Sequence, residues 1–336
     1  MMRPRVVLAM AAEKTLHVFN DRSLDRLAAS CDILSRAPIE DFSTPEARAL
    51  LAEADILVTG WGAPYVGADV LRQAPRLKLI AHAAGTVKYT IDPAAYAAGI
   101  AVTHAADANA VPVAEFTLAA IIFANKRVFE LRDLYRADHT RRSTWALMDE
   151  PIGNYRRTVG LIGASRIGRK VAKLLQILEV DVLLADPYVA KSDPVTRHAR
   201  LVDLETLLTE SDIVSLHAPA LPSTRHMIGE RQLRLMRDGA TFINTARGML
   251  VDEAALVAEL ETGRINAIID VTDPEIPADG SPLYSLPNVF LTPHVAGAGG
   301  TERLRLGEMT IAEIERFVSG EPLQHAIEPD LLERLA

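Results

Sequence analysis

Three short stretches late in the chain carry side chains suited to chemistry. They are Ile243-Asn244-Thr245-Ala246-Arg247-Gly248, Asp270-Val271-Thr272-Asp273-Pro274-Glu275 and Thr292-Pro293-His294. A histidine near its natural pKa gives and takes a proton at neutral pH. A carboxylate beside it stabilises the imidazolium and fixes the ring. An arginine binds a carboxylate, polarises a carbonyl, or does both. Each residue alone has a bland reading. A strand-end histidine is usually structural, Arg247 before a glycine can cap a carbonyl, Asp270 can cap a turn, and Glu275 can simply be solvated. Each stretch follows a predicted strand, however, and the carboxyl ends of parallel strands are where ligands bind. Together Arg247, Glu275 and His294 read as one reacting centre, with Asp273 as a nearby competitor to Glu275.

A second motif supplies a partner for that chemistry. Gly163-Ala164-Ser165-Arg166-Ile167-Gly168 follows a predicted strand and opens a predicted helix. Gly163 allows a tight turn, Gly168 lets helix and sheet pack closely, and the helix N-terminus can face a pyrophosphate. The usual middle glycine is replaced by Ser165, whose hydroxyl either bonds phosphate or sets the loop further away. Asp186 stands 23 residues after Gly163. An acid there accepts ribose hydroxyls and repels a 2′-phosphate, favouring NAD over NADP. Hydride to carbon plus a proton to oxygen is what reduction of a 2-oxo acid requires.

The patterns that must position these groups are regular. Strands are predicted at residues 6–10, 56–59, 77–81 and 100–103, with a helix over 44–53 capped by Thr44. A long helix is predicted over 113–135, opened by Pro112, and residues 136–155 read as an irregular bridge. Strands then follow at 158–162, 182–185, 213–217, 241–244, 267–271 and 289–291. Helices over 167–178, 203–208, 230–236 and 252–262 separate most of them, and a last helix covers 302–317. Apolar strands alternating with helices predict an α/β protein. The expectation is two parallel-sheet domains, Rossmann-like and flavodoxin-like, with a cleft between them. Residues 1–108 plus 302–336 form a discontinuous substrate domain, and 109–301 the dinucleotide domain.

Bulk properties agree. The chain has 336 residues, 49% hydrophobic and 24% charged, with a net charge of −8. It lacks the basic footprint of a nucleic-acid binder. Its one cysteine, Cys31, allows no intrachain disulfide and has no metal-ligand spacing around it, so it reads as buried filler. No metal is implied. The apolar run 116–124 is half a membrane span, and the first strand only faintly imitates a signal peptide, so a cytoplasmic protein with no membrane partner is expected.

From Gly160 to Gly300 the chain resembles the D-isomer-specific 2-hydroxyacid dehydrogenases. The pieces that carry this are Gly160 to Gly163, Asp186-Pro187-Tyr188, His217-Ala218-Pro219, Ile243 to Gly248 with Val251-Asp252, Asp270 to Glu275, and Thr292-Pro293-His294. The resemblance implies Arg247, Glu275 and His294 as the catalytic set, with His294 as acid/base. It implies cofactor contacts at Gly163, Ser165, Arg166, Ile167, Gly168, Asp186, His217, Ala218, Pro219, Thr224, Thr245, Ala246, Arg247, Asp270, His294 and Gly297. In the first domain it implies a substrate loop at Gly85, Thr86 and Val87, where backbone N–H groups hold the substrate carboxylate; a glycine is usual where Val87 stands. Trp61 either lines that pocket or packs. Asn109 is an interdomain contact on the same grounds. The resemblance further implies no regulatory domain and a homodimer formed through the dinucleotide domain. The expected activity is NAD-dependent interconversion of a small 2-oxo acid and its D-2-hydroxy acid, of the glyoxylate or hydroxypyruvate kind. An NAD(H)-binding corepressor or sensor of the same fold is the alternative, and a formate or phosphite dehydrogenase a weaker one, since the formate branch carries glutamine where Glu275 stands.

Overall fold

Apolar runs bounded by Gly, Pro, Asp and Asn build two wholly parallel sheets in the computed structural model, which describes residues 3–328. Residues 329–336, assigned above to the substrate domain, lie outside the described residues. The chain divides into two compact units, residues 1–109 with 298–336 and residues 110–297.

The first unit holds β1 (Arg5–Ala9), β2 (Asp32–Ile33), β3 (Ile56–Thr59), β4 (Leu79–His82) and β5 (Ala101–His104), in the order β2-β1-β3-β4-β5. This is the flavodoxin-like order. Every residue of β3 and β4 is buried, as expected of strands covered by helices on both faces. The helix Arg303–Ser319 belongs to this unit and buries Ile311 and Ile314 against Val6, Leu8 and Leu27. Gly307 lets that helix approach, because a Cβ there would lie 2.1 Å from the Val18 carbonyl oxygen. Buried Glu313 then accepts the Gln324 and His325 N–H groups, each at 2.9 Å, and fixes the segment after the helix.

The second unit holds β6 (Thr158–Ile162), β7 (Asp181–Ala185), β8 (Arg200–Leu201), β9 (Ile213–Leu216), β10 (Thr241–Asn244), β11 (Asn266–Ile269) and β12 (Val289–Leu291). Their order is β12-β11-β10-β9-β6-β7-β8, so chain direction across the sheet reverses between β6 and β9. Such a switch point is where a doubly wound sheet opens a crevice for ligand. Thr44, Ser165, Asp203 and Asp252 all cap helices with their side chains. Cys31 is buried, and burial pushes its thiol up to about 11, which leaves it unreactive.

Some expected boundaries are corrected. The long helix starts at Ala106 and carries Pro112 inside it. Burial of Ala108, Ala110, Val113 and Ala114 outweighs the lost backbone bond at the proline. By length and composition alone this helix could cross a membrane, but Ile121 and Ala124 sit in the second unit's core. It stops at Asn125, where Arg127 takes the left-handed conformation (φ 47°), and a separate helix, Val128–Asp138, follows. The stretch 136–155, read above as irregular, contains the helix Arg142–Met148.

Each unit holds a buried histidine, His82 in the first and His217 in the second, that burial keeps neutral. Burial, with His104 beside it, pulls His82 down to about 4, and burial pulls His217 down to about 3, both from 6.5. Below pH 6.5 the unfolded chain takes up protons that the folded chain refuses, so stability falls as pH drops toward 4. The loss should be on the order of a few kcal/mol per ring. Denaturant unfolding at stepped pH should show it; a midpoint unchanged between pH 7 and pH 4.5 would contradict the assignment of two neutral buried rings.

Candidate active site

Adjacent strands β10, β11 and β12 end level with one another, Asn244 pairing with Ile269 and Ile269 with Leu291. The three loops that leave them carry Arg247, Asp270 to Glu275, and His294. All lie in the second unit.

Asp270 organises the last two loops. Its carboxylate is buried and accepts the Thr292 hydroxyl at 2.7 Å, the Val295 N–H at 2.8 Å and the Ala296 N–H at 3.0 Å. Its own carbonyl accepts the His294 N–H at 2.9 Å. His294 is thereby held at φ 54°, a conformation rare for residues other than glycine. From there its Nδ1 pairs with Glu275 Oε1, while the side chain stays 45% exposed. The second ring nitrogen is left for other partners. Asp273 pairs instead with Arg225, at 3.5 Å. Of the two acids offered by the sequence, Glu275 is thus the one paired with His294.

Arg247 stands on the neighbouring loop. Asn244 shapes that turn, its Oδ1 accepting the Ala246 N–H at 3.0 Å and its Nδ2 donating to the Arg247 carbonyl at 3.1 Å. Arg247 is half-buried, and its Nη1 donates to the Ala246 carbonyl at 2.6 Å. Gly248 is the contact with the acidic loop: a Cβ there would lie 2.0 Å from the Thr272 carbonyl carbon. Asn244, Gly248 and Thr292 were not singled out from sequence. An asparagine closing a strand, two residues before a bonded N–H, was the available signal.

At the switch point, Gly163 takes φ 97°, and a Cβ there would lie 2.7 Å from the Ala218 nitrogen. Gly168 is equally constrained, its missing Cβ falling 2.1 Å from the Gly163 oxygen. Ser165 resolves the ambiguity left by the missing glycine: its hydroxyl is the N-cap, accepting the Gly168 N–H at 3.3 Å. Arg166 is exposed and Ile167 half-buried in the first turn. Asp186 ties this loop to the end of β7, accepting the Ala164 N–H at 2.7 Å and the Tyr188 N–H at 2.9 Å. Each carboxylate oxygen keeps acceptor capacity for a ribose hydroxyl.

The remaining expected contacts are mostly spent internally. His217 is buried with Nε2 at 2.9 Å from Ser215 Oγ, and its Nδ1 has no protein partner. Thr224 closes the loop around Ala218 and Pro219 by donating to the Pro219 carbonyl at 2.7 Å. Thr245 shares a hydrogen bond with Thr117 at 3.0 Å. Gly297 ends the turn that Asp270 holds.

A dinucleotide fits these residues. The glycine crevice has no room for side chains of its own, the first-turn N–H groups have no intrahelical acceptor, and Asp186 stands at the neighbouring strand end. Gly163, Ser165, Arg166, Ile167, Gly168 and Asp186 would hold it.

In the first unit, Trp61 follows β3. Its carbonyl accepts the Ala11 N–H at 3.0 Å, and the Arg303 guanidinium lies 5.5 Å from its ring centroid. Gly85, Thr86 and Val87 follow β4. The Val87 side chain is 1% exposed and packs in the core with Ile80 and Ile91. Only its backbone can face a ligand. Asn109 Oδ1 accepts the Ala298 N–H at 3.1 Å.

The chain is similar to known proteins. Residues 118–296 match the family described as D-isomer specific 2-hydroxyacid dehydrogenase, NAD binding domain. A glycerate dehydrogenase of Methylorubrum extorquens is 38% identical over 267 residues, covering 78% of this chain and 82% of its own. A glyoxylate reductase of Aeropyrum pernix is 33% identical over 341 residues, covering 99% and 97%. The NAD-complexed D-isomer specific 2-hydroxyacid dehydrogenase of Lactobacillus delbrueckii ssp. bulgaricus superposes with a TM-score of 0.78 at 26% identity, over 96% of this chain and 100% of that one. The chain belongs to the D-isomer-specific 2-hydroxyacid dehydrogenases, NAD-dependent oxidoreductases acting on CH–OH donors.

Proposed function

We propose that the enzyme interconverts a small 2-oxo acid and its D-2-hydroxy acid, with His294 as acid/base, Glu275 as its partner and Arg247 as the substrate anchor. The observation that carries this is the His294–Glu275 pair, held on a strained backbone at the end of the sheet. NAD supplies or accepts the hydride at the substrate's C2. In the reducing direction His294, protonated, gives the proton on its free ring nitrogen to the substrate oxygen; in the oxidising direction it takes that proton back. Glu275 stabilises the imidazolium and fixes the ring through Nδ1. Arg247 binds the carboxylate and polarises the adjacent carbonyl. In the first unit, the backbone of Gly85, Thr86 and Val87 is the loop we assign to substrate-carboxylate binding, with Trp61 as a second candidate lining residue. The named activities of the relatives above support a substrate of the glyoxylate or hydroxypyruvate size.

Replacing His294 with Ala should cut turnover of glyoxylate or hydroxypyruvate by about 10²–10⁴-fold while NADH affinity stays near wild type. Unchanged turnover would remove His294 from the acid/base role.

We further propose a cytoplasmic homodimer joined through the dinucleotide unit. Its support is the helix Val128–Asp138, which buries none of its residues, and the exposed Tyr135, Trp145 and Met148 on it and its neighbour. Light scattering should give twice the 36.6 kDa chain mass; a particle of one chain mass would overturn the dimer.

A further inference from the structure

Ala164 stands inside the cofactor loop, yet both of its backbone polar groups are taken by side chains from outside the turn. Its N–H donates to Asp186 Oδ2 at 2.7 Å. Its carbonyl accepts Arg169 Nε at 2.8 Å. Ala164 is 8% exposed, so an unpaired group there would be costly. The helix Arg166–Leu174 does not use that carbonyl, because its first acceptor is the Ser165 carbonyl, which takes the Arg169 N–H at 3.0 Å.

Arg169 is braced in turn. Its Nη1 and Nη2 donate to Asp193 Oδ1 and Oδ2, at 2.5 and 2.8 Å. A bidentate pair of this kind fixes the orientation of a guanidinium as well as its place. Asp193 is itself held, its Oδ1 accepting the Val195 N–H at 2.9 Å to cap the short helix Pro194–Arg197. The Arg169 and Asp193 side chains are 41% and 20% exposed, so as a plain surface ion pair they would add little to stability. What the pair adds is direction. One guanidinium joins the cofactor loop to the segment after β7, and the Ala164 N–H joins the same loop to Asp186 at the start of that segment.

In a trans peptide the carbonyl of one residue and the N–H of the next point opposite ways. An Ala164 carbonyl held by Arg169 therefore leaves the Ser165 N–H facing away from the guanidinium. That N–H precedes the helix and has no intrahelical acceptor. The missing middle glycine costs the backbone nothing, since Ser165 takes φ −63°. We infer that Arg169, braced by Asp193, is a positioning residue for dinucleotide binding: it fixes the Ala164–Ser165 peptide so that the Ser165 N–H is presented to the pyrophosphate. This rests on the reading of residues 163–168 as the phosphate loop.

The test is NADH binding by fluorescence titration, read beside thermal unfolding of the protein with no added nucleotide. Arg169→Met removes every donor and should raise the Kd for NADH by about tenfold, the worth of one well-placed hydrogen bond to an anion. ADP-ribose, which carries the pyrophosphate without the nicotinamide, should lose affinity by the same factor, and kcat at saturating NADH should not fall. Arg169→Lys restores one donor and should recover part of the loss. Asp193→Asn should also weaken NADH binding, and adding it to Arg169→Met should change Kd by less than about twofold further. A lowered melting temperature with wild-type Kd in Arg169→Met would reduce the pair to a structural clamp and overturn the inference. Should Arg169→Met fail to fold, Asp193→Asn decides on the same terms. Arg166→Glu tests the loop reading separately: residue 166 is exposed, and an acid in the first turn favours the helix while repelling a phosphate. Weakened binding in Arg166→Glu with wild-type Kd in Arg169→Met (or in Asp193→Asn, where that variant decides) would overturn the role of Arg169 and leave the phosphate loop standing. Wild-type Kd in both would overturn the loop assignment and the inference with it.

Discussion

The candidate site depends on one buried carboxylate. Asp270 ends β11 where the polypeptide turns out of the sheet, and its two oxygens take up a hydroxyl and two N–H groups from residues 292–296. Hydrogen bonds to a charged acceptor contribute about 1.5–3 kcal/mol each. Together they outweigh the cost of burying the charge and of holding His294 at positive φ. The turn they close is what sets the His294 ring against Glu275. The resemblance counts Asp270 among the cofactor contacts; its carboxylate also holds the turn that carries His294, as the plain turn-capping reading of the same residue has it.

Close backbone approach does the rest. Gly248 seats the arginine loop directly on the Thr272–Asp273 backbone, and Gly163 and Gly168 let the first loop and its helix press against the end of β9. At these positions any side chain would overlap main-chain atoms, which move only with the whole element. The candidate groups are thus placed by rigid strand ends, with short loops adding little freedom. That suits chemistry in which a proton donor and an anchor must stay in fixed relation.

Much of this was readable beforehand, for identifiable reasons. Buried parallel strands announce themselves as continuous apolar runs, and eight of them lie within a residue of the expected bounds at each end. Thr44 and Asp252 were recognised as caps because an N-cap bond is local. What escaped was set by contacts distant in sequence. The two-residue strands β2 and β8 have no periodicity to read. Pro112 looked like a helix start, and only burial on both sides of it shows why the helix runs through. The motif around Val87 speaks only for its backbone; the inward direction of its side chain is fixed by the core of the sheet. The polar row of Thr59, His82 and His104 spans three strands separated in sequence, and only register brings it together.

The central claim is that Asp270 acts on turnover through His294. A double-mutant cycle measures this most directly, with kcat for NADH-dependent reduction of hydroxypyruvate read in wild type, Asp270→Asn, His294→Ala and the double variant. If Asp270 works by placing His294, Asp270→Asn should lower kcat by at least about tenfold alone and by less than about twofold once His294 is gone. An equal loss in both backgrounds, accompanied by weaker NADH binding, would show that Asp270 acts on the cofactor independently and would contradict the account.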